Sequence, residues 1–275
     1  MCPFGDAMDL DPSGHATHGA VASVAMRPLI EIPAADGTAE AVVARPGDGT
    51  HPGVLLCMDA IGLRPRIEEM ADRIASWGYV VLAPNTFYRL GTAAETSPPA
   101  DMDLTDPEQR AEFGKLSVPR VGTLTQERTE ADVPHFVSAL RALPGVADGP
   151  IGVTGYCMGA KFATRAACVE PSIAAVGGFH GAHVATTEPD SPHLGLGSAR
   201  AAFLYGHADH DQTMTPEMVE RLDAALAQHG LGATTAVYPG APHGYTMADT
   251  SSYQEEGAER HFTELKALFE RTLGA

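Results

Sequence analysis

Cys157 is the residue through which this chain could do covalent chemistry. It lies in Ile151-Gly152-Val153-Thr154-Gly155-Tyr156-Cys157-Met158-Gly159, a buried-strand pattern running into a turn, with a helix expected from about Met158. G-x-C-x-G at a strand-to-helix corner is a nucleophile elbow with sulfur where serine is commoner. The turn is tight enough to require small residues two positions before and after the nucleophile, and Gly155 and Gly159 supply them. The helix amino terminus behind the sulfur offers free N–H groups and the positive end of its dipole, which favour a thiolate. Such a thiolate attacks acyl carbon, so the chemistry expected is acyl transfer. Cys57 falls in an apolar strand and Cys168 late in a helix, where free cysteine serves as a small packed hydrophobe.

The thiol needs a base, and the base needs an orienting acid, in the chain order nucleophile, acid, histidine. Among 12 histidines, His243 is distinguished by its place in Tyr238-Pro239-Gly240-Ala241-Pro242-His243-Gly244-Tyr245, a Gly/Pro-rich loop after the last expected strand. The acid should follow the strand before it. Gly206-His207-Ala208-Asp209-His210-Asp211 offers two carboxylates there; Asp209 is preferred, three residues past the glycine taken to end the strand, with Asp211 as the fallback. His207, Asp209, His210 and Asp211 are also capable of metal binding. Adjacent residues point in different directions and no further ligand pair is evident, so a metal site is not expected.

These residues need a scaffold. Strands are expected at 28–32, 39–44, 53–58, 79–83, 150–154, 173–179, 201–205 and 234–238. Several are continuously apolar, as strands covered on both faces must be. Helical spacing appears in Ile67, Met70, Ile74 and Trp77, ended by Gly78; in Val133, Val137 and Leu140; in Met218, Leu222 and Ala225 after Thr215-Pro216; and in Ala258, Phe262, Leu265 and Phe269. Alternating strands and helices imply an α/β fold with a mostly parallel central sheet and helices on both faces, the first two strands forming an antiparallel edge. Residues 1–26 read as a flexible arm and 27–275 as one domain. The long segment 85–121, with Pro98, Pro99, Pro107 and Pro119, reads as a lid-like insertion.

Composition narrows the partners. A formal net charge of −17 with no basic patch argues against nucleic acid. No apolar run approaches the roughly 18 residues of a membrane span. Four cysteines without a CxxC pair suit neither a disulfide framework nor structural zinc. With no signal-peptide pattern at the start, a cytoplasmic location is expected, with a monomer or homodimer acting on a small molecule.

Gly155-Tyr156-Cys157-Met158-Gly159, the Asp209 segment, Pro242-His243-Gly244-Tyr245 and Met58-Asp59-Ala60-Ile61-Gly62 together resemble the dienelactone hydrolase family, over about residues 27–272. The resemblance implies an α/β-hydrolase fold and a cysteine hydrolase cleaving lactones or small esters through a thioester, without metal or organic cofactor. It implies that Asp59, at a position where the best-known members carry Glu, gates the thiol, and that the Ala60 and Met158 amides form the oxyanion hole. It matches Arg89 to one of two substrate-carboxylate arginines, but the second position holds Met247, leaving the clamp half present and suggesting a less acidic or larger substrate. Phe87, Tyr88, Tyr245 and Met247 are candidates to line an apolar pocket or to serve as ordinary packing. Two alternatives stand beside this reading: a biosynthetic lactonising or thioester-cleaving enzyme on the same fold, and a non-catalytic binding protein.

Overall fold

The structure is a computed structural model that describes residues 26–274, so all but the last residue of the expected arm lies outside the described residues. A hairpin opens the fold: β1 (Ile30–Ala34) pairs antiparallel with β2 (Gly37–Ala44), turning through Gly37 at φ 142°. The chain then alternates through β3 (Gly53–Cys57), α1 (Pro65–Ala75), β4 (Val80–Pro84), α2 (Ala93–Thr96), α3 (Pro107–Val121) and α4 (Gln126–Ala142). It continues through β5 (Ile151–Tyr156), α5 (Met158–Val169), β6 (Ile173–Phe179), a 3-10 turn at Pro192–Ser198 and β7 (Ala202–His207), and closes with α6 (Pro216–Gln228), β8 (Ala233–Val237) and α7 (Glu255–Leu273). The 8-stranded sheet has the order β1-β2-β4-β3-β5-β6-β7-β8, with β2 antiparallel to β4 and every later pair parallel. The expected fold class and antiparallel edge are therefore found.

Every residue of β3, β4 and β5 is buried, because helices cover both faces. On one face Phe136 and Leu140 of α4, Phe162 of α5 and Leu222 of α6 pack against the sheet. On the other, Ile67, Met70 and Ile74 of α1 meet Phe262, Leu265 and Phe269 of α7. Each such side chain contributes about 1.5–3 kcal/mol of burial. Trp77 lies beyond the end of α1, and Gly78 at φ 102° turns the chain into β4.

The segment 85–121 is more ordered than an irregular insertion. Asp106 caps α3 by accepting from the Glu108 and Gln109 amides, with Pro107 at the first helical position. Asp106-Pro107 was the signal in the sequence: a capping carboxylate followed by the residue best tolerated at a helix start.

Candidate active site

The carboxyl ends of the parallel strands converge on one cavity of about 410 Å³, walled by Cys157, Met158, His243, His180, Asp59 and Ala60 and faced by Arg110, Phe113, Val118 and Val121 of α3. That is the size of a small-molecule site. β5 delivers Cys157 at φ 54°, ψ −117°, directly before α5. This backbone conformation is costly for a residue with a side chain and is held by its surroundings. The Cys157 amide donates to the Phe179 carbonyl at 3.1 Å, and the Cys157 carbonyl accepts from Ala160 and Ala182. The flanking glycines are sterically required. A Cβ on Gly155 would sit 2.0 Å from the Gly159 oxygen, and one on Gly159 would sit 2.2 Å from the Cys57 oxygen.

His243 stands on the loop after β8. Its Nδ1 lies 2.6 Å from Asp211 Oδ2, and Asp211 Oδ1 accepts from both the amide and the hydroxyl of Thr213 at 2.8 Å. Asp209 does not reach the imidazole: its Oδ2 accepts from the Gly240 amide at 2.8 Å, tying two loops together near the surface. The expected acid is thus corrected to Asp211. The reason is strand length. β7 runs on through Gly206 to His207, so the turn that follows begins later than expected and the later of the two carboxylates faces His243. The four residues of the metal-capable segment separate. His207 stacks on Tyr205, Asp209 bonds Gly240, His210 is exposed, and Asp211 serves His243. Among the described residues no cluster of His, Cys, Asp and Glu is arranged to hold a metal ion.

Burial opposes a charge on His243, but the Cys157 sulfur and the bonded Asp211 outweigh it and push the imidazole up to about 10. Burial likewise opposes ionisation of Asp211, and the His243 hydrogen bond and charge overcome it, holding the carboxyl below its usual range. The electrostatics therefore favour an imidazolium paired with the Asp211 carboxylate. His180, which no sequence motif marks, lies beside this group with its ring centroid 5.2 Å from that of His243 and its Nε2 2.8 Å from Thr246 Oγ1. Burial, with His243, His261 and Arg110 nearby, keeps His180 neutral. Its signal was position: it directly follows β6 at the edge of the sheet where ligands bind in such folds.

Ala60 and Met158 both wall the cavity, and among the described residues neither amide donates a hydrogen bond. Met247 is on the same wall. Asp59 borders the cavity, yet its carboxylate is committed elsewhere: Oδ1 accepts from Arg64 Nη1 at 2.6 Å and Oδ2 from Nη2 at 3.2 Å. The expected contact between Asp59 and the thiol is replaced by this buried ion pair. Arg64, not anticipated as a site residue, lies in Gly62-Leu63-Arg64-Pro65-Arg66 just past the motif.

The expected substrate arginine is also corrected. After β4 the chain turns away from the cavity, and Arg89 lies against Asp132 at 2.6 and 3.0 Å and Asp36 at 2.6 Å. Tyr88 donates to the same Asp132 at 2.7 Å, and Phe87 is buried in the core. Tyr245 lies beneath the site, donating to the Gly206 carbonyl at 3.1 Å and packing edge-on against His180 at 5.1 Å. None of the four lines the cavity. Its cation comes instead from α3, where Arg110 has a buried Nε without a partner among the described residues.

A doubly covered, mostly parallel sheet with a strained cysteine at the end of β5 and a histidine–carboxylate pair on later loops defines an α/β-hydrolase arrangement. The dienelactone hydrolase family profile matches residues 39–273, and the chain belongs to that family of hydrolases. A Salmonella typhi protein named "Putative carboxymethylenebutenolidase" is 26% identical over 250 residues, covering 89% of this chain and 86% of its own. Among solved structures, the Klebsiella pneumoniae "Putative Dienelactone Hydrolase" superposes with a TM-score of 0.74 at 24% identity, over 89% of this chain and 98% of that one. A dienelactone hydrolase-like promiscuous phosphotriesterase from metagenomic libraries gives 0.68 at 18% identity, over 89% and 97%.

Proposed function

We propose that the protein hydrolyses a lactone or small ester by acyl transfer through Cys157, with His243 as acid and base and Asp211 orienting it. The observation that carries this reading is the shared wall: a sulfur on a strained elbow and an imidazole 2.6 Å from a carboxylate border one cavity. In this scheme the thiolate attacks the carbonyl carbon, and the oxyanion rests on the Ala60 and Met158 amides, donors worth about 3 kcal/mol each in such sites. The imidazolium gives its proton to the departing alkoxide. Neutral His243 then takes a proton from water, whose oxygen bonds to the thioester carbon. The C–S bond breaks, and the thiolate–imidazolium pair is restored.

The cavity lining points to a substrate with an apolar body, held against Phe113, Val118 and Val121, with Arg110 free to meet an anionic or carbonyl oxygen. The free Cys57, Cys157 and Cys168 suit a reducing compartment, and among the described residues no helix is long and apolar enough to cross a membrane. The decisive experiment is Cys157→Ala assayed on a chromogenic ester. Turnover should vanish; turnover at the parent rate overturns the reading.

A further inference from the structure

Arg64 belongs to no step above, yet it is among the most fully engaged side chains near the site. Its side chain is 4% exposed. Nη1 donates to Asp59 Oδ1 at 2.6 Å and to the Gly62 carbonyl at 3.2 Å, and Nη2 donates to Asp59 Oδ2 at 3.2 Å. These contacts clasp both ends of the loop that carries Ala60. Asp59 Oδ1 also accepts from the Ile61 amide at 3.1 Å, so the same carboxylate fixes the residue just past Ala60. The other edge of the guanidinium reaches across the molecule: Nε donates to Asp249 Oδ2 at 2.6 Å, and Nη2 lies 3.1 Å from Asp249 Oδ1 and 3.4 Å from Met247 Sδ. Met247 and Asp249 continue the loop of His243, where the Met247 amide bonds the Gly244 carbonyl at 2.9 Å. A planar, permanently charged fork with donors on two edges suits such a bridge; an ammonium is a point charge.

We propose that Arg64 is a positioning residue: it locks the loop bearing the Ala60 amide to the loop bearing His243, setting the oxyanion donor against the catalytic base. The same clasp withholds the Asp59 carboxylate from the Cys157 sulfur. The assignment rests on the cysteine acyl-transfer reading. It predicts a fault confined to the tetrahedral species, since a shift of about 1 Å in a catalytic group can cost on the order of 100-fold.

The test compares two reagents at Cys157 in the full-length protein. Iodoacetamide alkylates a thiolate without forming an oxyanion, whereas an aldehyde analogue of the ester forms a hemithioacetal whose oxygen needs the Ala60 amide. In Arg64→Met, kcat and aldehyde affinity should fall together, by about 10- to 100-fold, with KM and the iodoacetamide rate within about threefold of the parent. Arg64→Lys, which can hold Asp59 but not both partners, should recover part of the loss. If Arg64→Met does not fold, Asp249→Asn, altering a side chain one-third exposed, should give a smaller loss with the same selectivity. Equal falls in alkylation and aldehyde affinity, or parent behaviour in both, overturn the positioning role. Failure of the cysteine reading looks different: the parent protein itself would not be labelled at Cys157, and Cys157→Ala would retain turnover.

Discussion

At the scale of single residues, the position of one carboxylate decides the proposed triad. Asp211 and Asp209 are two apart, yet one braces His243 and the other ties down Gly240. Asp211→Asn should lower kcat/KM by roughly 10⁴, as loss of the orienting acid does in such triads, while Asp209→Asn should stay within a few-fold on the same ester. The ionisation of His243 gives a second prediction. Its imidazole is held at about 10 against burial partly by the Cys157 sulfur, so in Cys157→Ala its titration, followed by NMR, should move to lower pH. The sign for stability follows. A histidine whose folded pKa is raised contributes stability fully present below its unfolded value near 6.5 and lost as pH rises towards 10. Chemical denaturation of the parent should therefore show stability falling between about pH 7 and 10 more than in Cys157→Ala.

At the scale of elements, the elbow and α3 make separate demands. β5 and α5 approach so closely at the glycines that Gly155→Ala, whose Cβ would meet the Gly159 oxygen at 2.0 Å, should cost about 3 kcal/mol or more by urea denaturation, from overpacking against backbone. α3 depends on its cap. Asp106→Ala removes the acceptor for two amides and should cost about 1 kcal/mol of local stability. Because α3 supplies Phe113, Val118 and Arg110 to the cavity, this variant should raise KM for apolar esters more than it lowers kcat, which steady-state kinetics would resolve.

At the scale of the whole molecule, charge joins distant parts of the chain. Arg89 connects the β1–β2 turn, through Asp36, to α4, through the fully buried Asp132. Arg89→Met strands the Asp132 carboxylate and should cost about 3 kcal/mol, read from thermal or urea unfolding, with kcat/KM near the parent value. A large rise in KM without loss of stability would return Arg89 to the substrate.

Sequence alone was enough for whatever is local or periodic. All eight strands fall within two residues of their expected ends, and β3, β4 and β5 were the plainest, because a strand covered on both faces must be apolar throughout. The spacing of Ile67, Met70 and Ile74 marked a buried helical face, and Gly155 and Gly159 marked the elbow, because the clash they avoid lies between near neighbours in the chain. Tertiary structure alone decided which long-range partner each charged side chain meets. Arg64 finds Asp249 and Arg89 finds Asp132 across wide separations in sequence, and Asp211 rather than Asp209 meets His243 because β7 extends two residues further than its apolar pattern. The cavity's cation comes from α3, which a chain rich in proline concealed. Hydrophobic periodicity registers burial, but a buried charge is satisfied by whatever counter-charge the fold brings within about 3 Å, and that distance is fixed only when every element is in place.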